Sequence, residues 1–323
     1  LENKQIDKKY AKEIDFYTRQ CVDALSPSNF AVTNPTVLKE TVDSKGENIV
    51  QGINALFDDL VRGKGQTLMT KMTDTSSFEI GKNIATTPGK VVFQNELIQL
   101  IQYAPTTKTV FETPLLIVPP WINKFYILDL REENSFIKWA VDQGHTVFVI
   151  SWKNPDASYA DTKFEDYMTK GVLTAIDQAK QETGINHVNA IGYCIGGTLL
   201  AATNAYLASK RRKPIKSATY FTTLVDFEEP GDLGVFIDEE KLDALDANME
   251  KDGFLDGSSM ATVFNMLRAN DLIWPFFINN YLLGKEPTAF DLLYWNSDST
   301  RIPATAHSYY LRNCYLNNLL REP

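Results

Sequence analysis

His187-Val188-Asn189-Ala190-Ile191-Gly192-Tyr193-Cys194-Ile195-Gly196-Gly197-Thr198-Leu199-Leu200 passes from a β-rich apolar run, through a glycine-flanked turn bearing one thiol, into a helix-length stretch that continues to Ala208. A strand, a sharp turn and a helix in that order form a nucleophile elbow, here G-x-C-x-G with cysteine at the apex where serine is usual. Each glycine has a steric task, because a side chain on either flanking residue would collide with the neighbouring strand or helix. The competing reading of the same residues is a buried core cysteine beside a glycine turn.

Around the elbow the texture from about Gly89 is one of short β-rich runs separated by helical ones, which predicts a mostly parallel sheet with helices on its faces. Strands are expected at Lys90 to Gln94, Leu97 to Ala104, Pro114 to Val118, Thr146 to Trp152, Val188 to Gly192 and Ser217 to Thr222. The first two suit an antiparallel hairpin turning near Asn95 and Glu96. Helical segments near Ser135 to Gln143, Phe164 to Thr183 and Thr198 to Lys210 separate the later four, as right-handed crossovers require.

Upstream, Ile6, Tyr10, Ile14, Tyr17, Cys21 and Leu25 recur at helical spacing until Ser26-Pro27-Ser28-Asn29 breaks the run. Asn34-Pro35 reads as an N-cap followed by proline at the first helical position, and Gly63-Lys64-Gly65 closes a helix of about Glu47 to Arg62. Gly63-Lys64-Gly65-Gln66-Thr67 is not a phosphate loop, since it follows a helix and lacks the spaced glycines. Downstream of Thr223 the alternation stops. Acidic helical sequence near Asp238 to Lys251 gives way to Trp274, Phe276, Phe277, Tyr281, Tyr294 and Trp295, read as a cap over the carboxyl edge of the sheet. These aromatics are either the cap's own core or a substrate wall or interface. The division expected is therefore a helical N-terminal region, 1–88, and a catalytic domain, 89–323, with a cap insertion over about 225–323.

The chain has 323 residues, 44% of them hydrophobic, and a net charge of −9, which disfavours a nucleic-acid partner or an anionic membrane surface. The basic run Lys210 to Lys213 complements the dipole at the end of the post-elbow helix or forms a small ligand patch. No apolar run reaches transmembrane length, Pro119 and Pro120 interrupting the longest candidate. Three cysteines, Cys21, Cys194 and Cys314, make no disulfide framework, and no signal peptide is apparent, so a reducing cytosol is expected. Cys21 and Cys314 read as packing residues.

A thiol at the elbow attacks as thiolate, favoured by the N-terminus of a helix starting at Gly196 or Gly197. One oxyanion donor would be the backbone N–H of Ile195 and the second that of Ile122, in the Pro119-Pro120-Trp121-Ile122-Asn123-Lys124 loop; the alternative for that loop is a rigid turn without a donor. No base is evident. His145 and His187 sit at strand starts, His187 on the order of 20 Å from the sulfur at 3.3 Å per residue. His307, within Pro303 to Tyr310, is a base candidate or a packing residue, and Asp226 either orients a base or shapes a turn. Arg268 would contact acidic groups of the cap or a coenzyme A phosphate. No metal or cofactor is called for.

The elbow Gly-Tyr-Cys-Ile-Gly-Gly-Thr, together with Pro119 to Leu130, Ser151 to Asp156, Leu267 to Asp271 and Phe290 to Asn296, resembles the bacterial poly(3-hydroxyalkanoate) synthases of the single-subunit, short-chain (class I) type. The resemblance covers nearly the whole chain and implies an α/β-hydrolase-like fold with Cys194 as the acyl-carrying nucleophile. It further implies an acyltransferase that polymerises 3-hydroxyacyl-CoA, 3-hydroxybutyryl-CoA above all, with coenzyme A thioester as substrate and no cofactor. The partners implied are the growing polyester and its granule surface in the cytoplasm, and a second copy in a homodimer. Similar synthases carry a catalytic aspartate and histidine on later loops after two further strands. Those motifs are expected beyond Pro323, so residues 1–323 alone are expected to lack the last strands and sustained turnover. A cysteine-type hydrolase (thioesterase or esterase) on the same fold, or a catalytically incomplete granule-associated protein, are the alternatives.

Overall fold

The computed structural model describes residues 7–65 and 68–322; Ile6, Gln66, Thr67 and Pro323 lie outside the described residues. The chain forms two compact units, one made of residues up to Ser77 with Met260–Tyr294, the other of Phe78–Ser259 with the residues from Trp295 onward. The change of texture at residues 88 and 89 is therefore not a unit boundary, and 225–323 is not one insertion.

Helices α1 (Lys8–Ala24), α2 (Pro35–Asp43) and α3 (Glu47–Arg62) build the first unit. The Asn34 side chain accepts from the backbone N–H groups of Thr36 and Val37 at 3.0 and 3.2 Å, the cap that the sequence predicts. Segment Met260–Tyr294 joins these helices through close backbone approach. A Cβ on Gly52 of α3 would lie 1.9 Å from the Tyr281 carbonyl oxygen. The Asn48 amide donates to the Leu282 carbonyl at 2.8 Å, and the Tyr281 hydroxyl donates to the buried Asp59 carboxylate at 2.6 Å. Trp274, Phe277 and Tyr281 pack edge to face at centroid distances of 5.9 and 5.6 Å, with Tyr281 buried and Trp274 and Phe277 half-buried in this unit. Cys21 is exposed, contrary to expectation. Phe16 is the buried residue of α1, and Cys21 lies about 140° around the helix from it at 100° per residue.

The second unit holds a six-stranded sheet in the order β1-β2-β4-β3-β5-β6. Its strands are β1 (Gly89–Gln94), β2 (Ile98–Tyr103), β3 (Leu115–Val118), β4 (Val147–Trp152), β5 (Val188–Tyr193) and β6 (Ile215–Phe221), each within two residues of its expected bounds. β1 and β2 form the antiparallel hairpin, whose turn is fixed by Asn95 accepting from the N–H groups of Leu97 and Ile98. β2 also runs antiparallel to β4, while β4, β3, β5 and β6 are mutually parallel. β3 is buried along its length, as a central parallel strand flanked on both faces must be.

Alternation along the strands assigns two cores. Leu115, Ile117, Val147, Val149 and Ile191 pack with Ile137, Ala140 and Val141 of α4 (Phe136–Asp142). The intervening Leu116, Phe148, Ile150 and Ala190 are buried on the opposite face. Helix α5 spans 164–183, with wide π-type turns over Tyr167–Leu173, and α6 (Ile195–Ser209) follows the elbow. Beyond β6 lie α7 (Glu239–Asp252), a short antiparallel pair, β7 (Phe254–Leu255) with β8 (Ile302–Pro303), and α8 (Ala304–Tyr310). Among the described residues no helix is long and apolar enough to cross a membrane.

Candidate active site

Cys194 stands between β5 and α6 with φ +53° and ψ −126°, a conformation that costs a non-glycine residue roughly 1–3 kcal/mol and persists only where surrounding structure imposes it. The imposing contacts are on both sides of the turn. Cys194 N–H donates to the Phe221 carbonyl of β6 at 2.8 Å, and the N–H groups of Gly197 and Thr198 donate to the Cys194 carbonyl at 2.8 and 3.2 Å. A Cβ on Gly192 would lie 2.4 Å from Gly197 Cα; on Gly196, 2.4 Å from the carbonyl oxygens of both Val118 and Pro119; on Gly197, 2.0 Å from Thr223 Oγ1. All three glycines are thus required by close approach. α6 starts one residue earlier than expected, at Ile195, with Cys194 as its N-cap.

The thiol is exposed, yet desolvation by the wall around it raises its pKa above the ordinary thiol value; the Ile195 N–H, bonded to the sulfur, pulls the other way. The neutral thiol is therefore the resting form near pH 7, and helix-terminal polarity does not by itself deliver a thiolate. Ile122 is buried in the loop that leaves β3 at Val118, next to Gly196. Its N–H donates to no carbonyl or side chain among the described residues.

The histidines divide as their sequence positions predict. His187 meets the Thr113 hydroxyl at 3.1 Å and His145 packs on Phe111, both at the amino ends of strands, opposite the elbow. His307 is buried in α8, the Nδ1 atom has no hydrogen-bond partner, and desolvation lowers its pKa to about 4, the Asp246 carboxylate opposing. It is a packed neutral imidazole. Asp226 accepts from the Asn318 amide at 2.8 Å and the Glu228 N–H at 3.0 Å, with Arg321 at 3.4 Å, so its carboxylate serves a turn. Arg268 lies in the first unit, and its guanidinium is paired with Asp271 at 2.5 and 2.8 Å. Cys314 is buried, its thiol pushed up to about 12 by desolvation.

Several residues near the elbow were not singled out by the sequence. Tyr310 packs on Trp121 at 5.8 Å, on Phe227 at 6.1 Å and on Tyr315 at 5.5 Å. Its hydroxyl meets Thr198, in the first turn of α6, and Thr198 Oγ1 donates to the Leu224 carbonyl at 2.8 Å. Burial raises the pKa of both phenols, Tyr315 to about 12, and the Cys194 sulfur is close enough to add to each. Tyr309-Tyr310 and Tyr315, spaced across a wide π-type turn (Leu311–Leu316), offered only a faint signal of this aromatic wall.

Residues 1–140 match a family model described as the N-terminus of poly-beta-hydroxybutyrate polymerase (PhaC), and residues 114–312 match one described as the alpha/beta hydrolase fold. The poly(3-hydroxyalkanoate) polymerase subunit PhaC of Rhizobium meliloti is 58% identical over 95% of this chain and 50% of its own length. The poly(3-hydroxyalkanoate) polymerase of Methylorubrum extorquens is 56% identical over 98% of this chain and 52% of its length, and subunit PhaC of Cupriavidus necator 43% over 99% and 54%. The chain spans about half the length of these curated relatives. With a glycine-packed cysteine elbow on a largely parallel sheet, and both family descriptions spread across it, this chain belongs to the poly(3-hydroxyalkanoate) polymerase family and has the α/β-hydrolase fold.

Proposed function

We propose that Cys194 accepts a 3-hydroxyacyl group from a coenzyme A thioester and passes it to the hydroxyl of another unit, so that the protein polymerises 3-hydroxyacyl-CoA, with 3-hydroxybutyryl-CoA as the preferred substrate. The observation that carries this reading is the strained Cys194, held at the apex of the elbow with the Ile195 N–H on its sulfur. In the first step the sulfur attacks the thioester carbonyl, the new C–S bond forms, and the oxyanion receives the N–H groups of Ile195 and Ile122. Collapse expels the coenzyme A thiolate, which takes up a proton. Exchange between two thioesters is nearly balanced in energy, so the acyl-enzyme persists until a hydroxyl attacks it.

That second step needs a base, as does ionising a thiol whose pKa is raised. None of the three histidines described above is placed to supply it, and this reading assigns the base to an aspartate and histidine beyond Pro323. The same reading places the protein at the surface of polyester granules in the cytoplasm and pairs it as a homodimer. The test uses the full-length protein with 3-hydroxybutyryl-CoA, following coenzyme A release, polymer and a mass shift on Cys194. Cys194→Ala should abolish all three. Polymer formation by that variant, or release of free acid in place of polymer by the unaltered protein, would overturn the proposal.

A further inference from the structure

The loop that carries Ile122 has little to hold it from within. Pro119 and Pro120 have no N–H to donate, and among the described residues a single backbone hydrogen bond closes the turn, Asn123 N–H to the Pro120 carbonyl at 3.3 Å. Its shape is imposed from outside. Trp152 Nε1 donates to the Pro119 carbonyl at 2.9 Å from the neighbouring strand β4. Several further polar ties come from one short stretch far along the chain, Trp295-Asn296-Ser297-Asp298-Ser299-Thr300. The buried Thr300 hydroxyl donates to the carbonyl of Ile122 itself. The Trp295 indole N–H donates to the Lys124 carbonyl at 3.0 Å. Asp298 takes the Tyr126 hydroxyl at 2.7 Å on one oxygen and the Lys124 ammonium at 3.2 Å on the other. The stretch is itself anchored at its end, where Arg301 N–H donates to the Asn154 side chain beyond β4 at 3.0 Å.

We infer that Trp295–Thr300 is a latch whose side chains position the Ile122 N–H for transition-state binding, with Thr300 as the principal positioning residue; this rests on the acyl-transfer reading above. The physical argument is one of aim. An oxyanion donor works through its direction at a charge that exists only in the transition state, and removing such a donor costs about 10²-fold to 10³-fold in rate. With its carbonyl bonded to Thr300 and the Lys124 carbonyl bonded to Trp295, the Ile122 residue is clamped on its C-terminal side; the buried Trp121 fixes its N-terminal side. Release of the carbonyl frees rotation about Ile122 and lets the N–H swing away. None of the latch residues touches the thiol in this account, so the nucleophile is left as it was.

The experiment separates aim from reactivity. In the full-length protein, Thr300→Val removes the hydroxyl at nearly constant shape, and Thr300→Ser keeps it. Two rates are measured for each: single-turnover acylation of Cys194 by 3-hydroxybutyryl-CoA, which builds an oxyanion, and alkylation of Cys194 by iodoacetamide, which does not. The expected result is acylation slowed about 10-fold to 100-fold in Thr300→Val with KM near that of the unaltered protein, alkylation unchanged, and recovery in Thr300→Ser. Trp295→Phe, which deletes the indole N–H, gives the same pattern with a smaller loss and stands in where Thr300→Val fails to fold. Acylation by either variant at the unaltered rate overturns the latch, as does an equal fall in alkylation, which would mean the elbow had moved. Absence of Cys194 acylation in the unaltered protein would refute the acyl-transfer reading and this inference with it.

Discussion

Replacing His307 by leucine should flatten the acid side of the protein's stability curve, and the size of the effect follows from its burial. The imidazole is buried with Nδ1 unpartnered, and its pKa is lowered to about 4 from the ordinary 6.5. A base whose folded pKa is depressed binds its proton more weakly in the native state, so stability is lost as pH falls through 6.5 and continues to fall until about pH 4. Between pH 7.5 and pH 5 the unfolded chain gains most of a proton that the folded chain refuses, which amounts to about 2 kcal/mol from the ratio of the two binding polynomials. The assay is urea unfolding at pH 7.5, 6.5, 5.5 and 5.0, followed by tryptophan fluorescence, on the unaltered chain and on His307→Leu. The difference in stability between the two should change by about 2 kcal/mol in favour of the variant as pH drops from 7.5 to 5, whatever its offset at pH 7.5. A pH-independent difference would show that His307 protonates freely in the folded state, which would reopen it as a proton-transfer residue.

Gly196→Ala should cost about 1–3 kcal/mol and most of the acylation rate, because the added methyl would lie 2.4 Å from two backbone carbonyl oxygens at the end of β3 and must push the Ile122 loop away; thermal unfolding and single-turnover acylation check this, and a fully active variant would refute the packing argument. Folded residues 1–323 should present two thiols to a disulfide reagent, exposed Cys21 and Cys194, with buried Cys314 reacting only on unfolding; alkylation of Cys194 should climb about tenfold per pH unit through neutrality and level off only above the ordinary thiol range, since desolvation raises its pKa. A plateau below pH 8 in residues 1–323 would mean that a cation or base beside the sulfur had been overlooked.

What the sequence reveals here is what short-range chemistry encodes. Three glycines within six residues, after an apolar β run and before a helix, specify the elbow because each clash they relieve is local or involves an adjacent strand. Strand bounds were legible for the same reason, as was the Asn34 cap. The division into units was not, because it is decided by Gly52 meeting Tyr281 and by Asp59 meeting the same tyrosine's hydroxyl across more than two hundred residues. Thr300 and Trp295 were equally hidden. A single threonine carries no local signature, and its partner carbonyl lies 178 residues away. Helical spacing likewise placed Cys21 on a helix without saying that Phe16 takes the buried side.

The contacts that strain Cys194 and the groups that would move its proton belong to different parts of the problem. The positive φ is held by the Phe221 carbonyl, by Thr223 against Gly197, and by Thr198 bonded to the Leu224 carbonyl, so three residues at and just beyond the end of β6 clamp the turn. None of these groups titrates near neutral pH. Aim of the sulfur and of the Ile195 N–H is thus built from buried backbone and hydroxyl contacts, indifferent to protonation, whereas the raised thiol pKa leaves ionisation to whatever base faces the site. Acylation needs that base once, to free the thiolate; chain growth needs it again at each incoming hydroxyl, a far weaker acid than a thiol. Loss of the base should therefore fall harder on polymerisation than on the first acyl transfer, and an elbow with an intact latch should still trap a single acyl group.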